Sequence, residues 1–158
     1  MKNHNQIGLD EKKAKHLING LNNLLADYQL FYMNTRGLHW NIKGEQFFEL
    51  HVKYEELYNN LVLKIDEIAE RVVTLEGVPL HSFVDYLSAS SIKAVKNVSK
   101  GKEGVQLIVD SLQKVISKQR DLLKLSEEAE DEGTNALMSD YVREQEKLIW
   151  MYSSYLNK

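Results

Sequence analysis

"FFELHVKYEELYNNLVLKIDEIAERVVTLEG", residues 47–77, repeats one register from end to end: Phe47, His51, Tyr54, Tyr58, Leu61, Ile65, Ile68, Val72 and Leu75. Steps of three and four residues place these side chains on one face of an α-helix. Nothing interrupts the run before Gly77, and Pro79 follows as punctuation. Off that stripe lie Val52, Val62, Leu63, Ala69 and Val73, together with Asp66 and Glu70. At about 100° per residue, the two carboxylates point about 120° and 160° away from the centre of the stripe. A helix with apolar groups on two faces has two packing partners. One is its own bundle; the other is expected to be a second subunit.

Working outward, Leu17, Leu21, Leu24, Tyr28, Phe31, Thr35 and Leu38 predict an earlier helix, with Asp10 near its N-cap and a stop between Gly37 and Gly44. A third is predicted after Gly101 and Gly104, through Val105, Ile108, Leu112, Val115 and Leu122. A fourth follows Gly133 and carries Leu137, Tyr141, Leu148 and Tyr152. Helices one and two are joined by about six residues, so they should be antiparallel neighbours. The roughly 25 residues between helices two and three are long enough to cross the bundle, with a short helix near residues 82–88. Four long helices with one long crossover predict an all-α, ferritin-like four-helix bundle, and residues 1–158 read as a single domain.

Composition agrees and narrows the function. The 158 residues include one Pro and eight Gly, so long stretches run without helix breakers. Cysteine is absent, which excludes disulfides and thiolate metal sites and suits a cytoplasmic location. The first residues, "MKNHNQIGLDEKK", hold no apolar run of the kind a signal peptide needs, and no apolar stretch is long enough to span a membrane. The net charge of −3 sets up no basic field for nucleic acid.

The chemistry lies in spacing. Singly, His51 on an apolar stripe reads as a hydrogen-bonded core residue, Asp66 with Glu70 reads as a solvated helix face, and Glu55 stands one turn from His51 to orient it. Jointly they suggest more. His51 and Asp66 lie 15 residues apart on one helix, about 22 Å along its axis, so one metal cannot touch both within a chain. Two copies of the helix packed antiparallel across a two-fold axis would bring His51 of one to Asp66 and Glu70 of the other, with His39 swinging in from the preceding helix. Two imidazoles and two carboxylates suit Fe(II), Zn or Mn. A di-iron site inside the bundle uses Glu-x-x-His motifs, and the chain has none.

"RGLHWNIKGEQFFELHVKYEELYNNLVLKIDEIAERVVTLEGVP" and "DEGTNALMSDYVREQEKLIW" resemble the Dps family, the DNA-binding proteins from starved cells, or miniferritins. The likeness covers nearly the whole chain and includes the His39, His51, Asp66, Glu70 spacing. It implies a dodecameric shell built from two-fold dimers, with an iron-oxidising centre at each dimer interface. His39 and His51 would come from one subunit and Asp66 and Glu70 from its partner, with Trp40 and Glu55 beside the centre. It further implies hydrogen peroxide, or dioxygen, as oxidant, ferric mineral stored within, and protection from oxidative damage. Asp121, Glu128, Asp131 and Glu132 are candidates for three-fold entry pores or for a solvated charge run. DNA binding is expected to be weak or absent. The segment before the first helix carries only Lys2, with Lys12, Lys13 and Lys15 at the helix start, and copies at −3 each repel a polyanion. The alternatives are a metal-binding or DNA-coating assembly protein without turnover.

Overall fold

The computed structural model describes residues 3–158. They form α1 (Glu11–Asn41), α2 (Phe47–Thr74), α3 (Phe83–Ala89), α4 (Gly101–Glu128) and α5 (Glu132–Tyr155), with no strand among them. α1 pairs with α2 and α4 with α5, while α1 also packs against α4 and α3. This is the all-α ferritin-like bundle with its short helix in the crossover. Leu17, Leu21, Leu24, Tyr28 and Phe31 of α1 meet Leu61, Ile68 and Val72 of α2 and Val105, Ile108 and Leu112 of α4 in one core.

The caps follow the sequence. Asp10 accepts the Lys13 N–H, Ser82 the Asp85 N–H and Asp131 the Thr134 N–H, each closing an otherwise orphaned helix start. Ahead of α1 the chain folds back on itself: Asn5 N–H donates to the Leu9 carbonyl, and Gln6 N–H donates to Glu76. Lys2 lies outside the described residues.

The three glycines expected to precede helices, Gly101, Gly104 and Gly133, lie inside them instead. A Cβ on Gly104 would stand 2.6 Å from the Tyr54 hydroxyl, and one on Gly133 would stand 2.8 Å from the Arg71 guanidinium. These glycines mark close approach between elements, not chain breaks, so α4 begins at Gly101 and α5 at Glu132.

The crossover is clasped along α1 by three polar side chains. Asn22 donates to the Val78 carbonyl and accepts from Leu80 N–H. Asp27, fully buried, accepts from Ser91 N–H at 2.6 Å and from the Ser90 hydroxyl, and pairs with Lys118 at 2.7 Å. Asn34 donates to the Lys93 carbonyl and accepts from Val95 N–H. A long connection without strands is thereby held by charge-assisted and amide hydrogen bonds, with Ile92 buried in the core.

Inside the bundle, Tyr28, Gln119 and Gln145 close a ring of hydrogen bonds. The Tyr28 hydroxyl donates to Gln119 Oε1 (2.6 Å), Gln119 Nε2 donates to Gln145 Oε1 (2.7 Å), and Gln145 Nε2 donates back to the hydroxyl (2.5 Å). All three are buried, and neutral amides occupy the middle of the bundle.

Candidate metal centre

The buried face of α2 is Leu50, Tyr54, Leu57, Leu61, Lys64, Ile68 and Val72, rotated slightly from the stripe read in the sequence. Phe47, His51, Tyr58 and Ile65 thus sit half-buried at its edge. His51 is consequently at the margin of the core. His39, on the last turn of α1, is 7% exposed.

Five linking residues, 42–46, return the chain so that the two imidazoles stack, with centroids 3.8 Å apart and planes 15° from parallel. Each ring is fixed by the other residue's backbone. His39 Nδ1–H donates to the His51 carbonyl at 2.6 Å, and His51 Nδ1–H donates to the His39 carbonyl at 2.9 Å. A carbonyl only accepts, so each Nδ1 must carry a proton, and Nε2 is the one ring nitrogen through which either imidazole could bind a metal. Phe47 stacks on His51 (4.9 Å), and Tyr58 meets His39 edge-on (5.3 Å).

Glu55 does not orient His51. Its side chain is exposed and makes no hydrogen bond or ion pair among the described residues, and the His39 carbonyl already occupies His51 Nδ1. Trp40 is exposed on the turn that carries His39, with Arg36 over its ring at 4.9 Å. Sequence reading passed over Arg36 and the contact of Tyr58 with His39. The available signal was position, since Arg36 precedes His39 by three residues on one helix face.

Asp66 and Glu70 lie exposed further along α2, on the face that also exposes Val62, Leu63 and Val73. Among the described residues no group of three or more His, Asp or Glu side chains in one chain is arranged to hold a metal ion. The fold therefore joins His39 to His51 and leaves both carboxylates apart from them. Asp131, expected with Asp121, Glu128 and Glu132 at a pore, is buried instead. Its carboxylate pairs with Arg71 at 2.5 Å and accepts the Thr134 N–H and hydroxyl, so it is used inside the chain. Asp121, Glu128 and Glu132 are exposed.

Residues 18–158 match the Ferritin family, described as a ferritin-like domain, and the bundle with its crossover places the chain in the ferritin-like class. A Dps crystal structure from Vibrio cholerae, described as a member of a superfamily of ferritin-like diiron-carboxylate proteins, superposes with a TM-score of 0.96 at 55% identity, covering 99% of this chain and 98% of that one. The DNA protection during starvation protein of Porphyromonas gingivalis is 41% identical over 96% of this chain and 95% of its own. DNA protection during starvation protein 2 of Bacillus anthracis is 33% identical over 91% and 99%. Within the ferritin-like class, the chain belongs to the Dps family of miniferritins. Iron binding, iron storage and protection against oxidative damage are the general business of that family. No described helix is long and apolar enough to cross a membrane.

Proposed function

We propose that this single-domain chain is a cytoplasmic ferroxidase whose copies assemble into a dodecameric shell, oxidise Fe(II) at centres shared across two-fold interfaces, and store the ferric product inside. The observation that carries the reading is the mutual lock of His39 and His51, which occupies both Nδ1 atoms and leaves Nε2 for metal, with no third ligand from the same chain among the described residues. The missing ligands are Asp66 and Glu70 of the partner subunit. What supports this is the face they occupy: Val62, Leu63 and Val73 of α2 remain exposed in a single chain. Exposed apolar area of that kind marks a protein interface.

Iron is substrate and cargo here. Two neutral imidazoles and two carboxylates bind Fe(II) without excess charge and leave coordination positions open for an oxidant. Hydrogen peroxide accepts two electrons, so two Fe(II), one peroxide and two waters give two FeO(OH) and four protons, with no hydroxyl radical in the balance. The Nδ1–H bonds hold both imidazoles aimed, with Nε2 as the atom left to bind metal. Asp121, Glu128 and Glu132 are the remaining pore candidates.

The test is anaerobic Fe(II) loading followed by peroxide, monitoring ferric absorbance and peroxide loss together. The expected result is about two Fe(II) oxidised per peroxide, retained in a large particle, with His51→Ala at least about tenfold slower though still assembled. Wild-type oxidation no faster than in buffer would overturn the reading.

A further inference from the structure

The chain has four arginines. Arg71 pairs with Asp131, Arg120 with Glu146 and Arg143 with Asp140, but Arg36 has no carboxylate partner among the described residues. Its guanidinium lies 5.5 Å from the Tyr32 ring, 5.5 Å from the Tyr58 ring and 4.9 Å from the Trp40 ring. One hydrogen bond is made, to the Tyr32 hydroxyl at 3.2 Å, and Nε is buried with no partner. Aromatic faces stabilise the cation but accept no strong hydrogen bond, so apart from the bond to Tyr32 its donors are held in place without a partner among the described residues. Tyr58, which borders the guanidinium, is the same ring that meets His39 edge-on.

We propose that Arg36 is a positioning residue for a small anionic oxidant, the hydroperoxide class, beside the His39–His51 centre. The inference rests on the shared-centre reading and deepens it. In that centre Fe(II) is balanced by two carboxylates and two neutral imidazoles, which leaves the Arg36 charge uncompensated, and an entering monoanion restores the balance. A planar, weakly hydrated guanidinium with fixed donors suits that task better than a mobile ammonium.

The test uses the assembled particle loaded with Co(II), whose visible spectrum reports its ligands, titrated with azide as the anion at fixed ionic strength. Arg36→Gln should weaken azide binding about tenfold while Co(II) affinity holds within about twofold, and Arg36→Lys should recover part of the loss. With Fe(II), Arg36→Gln should raise the KM for peroxide and leave the rate at saturating peroxide nearly unchanged. A normal Co(II) spectrum with azide affinity unaltered in Arg36→Gln would overturn this inference and leave the shared centre standing. A wild-type Co(II) spectrum insensitive to His51→Ala would overturn both. Equal loss of azide binding in the Gln and Lys variants, with Co(II) binding lost alongside, would show a packing role and overturn the inference.

Discussion

His39 and His51 hold one another in place: each donates its Nδ1–H to the other's backbone carbonyl, at 2.6 and 2.9 Å, and their rings stack between. Neither bond uses a side chain that mutation could remove without also removing the ligand. The tautomer of both imidazoles is therefore set by the path of the chain between α1 and α2, and it selects Nε2 as the metal-facing atom.

If the centre is shared, two crippled variants complement each other. Particles carrying His39→Ala with His51→Ala, and particles carrying Asp66→Ala with Glu70→Ala, should each lack ferroxidase activity. In a mixed dimer one of the two centres regains all four ligands and the other loses all four, so co-refolded mixtures recover part of the rate. Tagging one variant and co-purifying the other proves that mixed dimers form. Proven mixed dimers without recovered activity would exclude the shared site.

Tyr28→Phe removes one atom from the closed ring with Gln119 and Gln145, leaving a buried acceptor and a buried donor unpaired. The expected cost is about 1–3 kcal/mol per chain, read as a lower midpoint of thermal unfolding with the helix content of the folded particle unchanged. A variant as stable as wild type would show that the ring contributes nothing net.

Arg71→Leu strips the cation from Asp131, whose side chain is 2% exposed. The carboxylate keeps the Thr134 contacts but loses its counter-charge, and the chain should lose about 3 kcal/mol. Adding Asp131→Asn should restore part of that loss, because an amide needs no cation. Chemical unfolding of the single and double variants measures both effects.

Alkaline pH should destabilise the bundle. Burial is the main cause that pushes the Tyr28 and Tyr141 hydroxyls above their ordinary value of 10.0, and Tyr152 is raised to about 12, again chiefly by burial and then by the Glu56 charge. A tyrosine whose folded pKa exceeds its unfolded one contributes stability that is complete below pH 10 and is lost as pH climbs toward the folded values. Ionisation of these three buried tyrosines should thus coincide with loss of helical signal, seen as a step in tyrosinate absorbance at the unfolding transition. Full titration of all eight tyrosines in an intact particle would contradict this.

DNA retention in a gel should be weak at roughly 150 mM salt and neutral pH, given the net charge of −3 and the folded-back segment before α1. Tight complexes that vanish when Lys2, Lys12, Lys13 and Lys15 are neutralised would refute the expectation.

The helices, the long crossover and the choice of His39, His51, Asp66 and Glu70 as candidates were legible along the chain, because helical period and axial rise are local quantities. The roles of Gly104, Gly133 and Glu55 were not. Each depended on what another element brings within a few ångströms: the Tyr54 hydroxyl, the Arg71 guanidinium and a backbone carbonyl. The same holds for Asp131, which in sequence is one acid among several and in space is the buried counter-ion of Arg71.

By itself, then, the sequence determined which residues share a helix face, since that needs only the 3.6-residue repeat, and it set His51 too far from Asp66 for one chain to join them. Tertiary structure alone decided which nitrogen of each imidazole is free, which carboxylates are used internally, and which arginine keeps an uncompensated charge. Those outcomes turn on hydrogen bonds and ion pairs between α1, α2 and α5, and such bonds are set by distances that spacing along the chain does not encode.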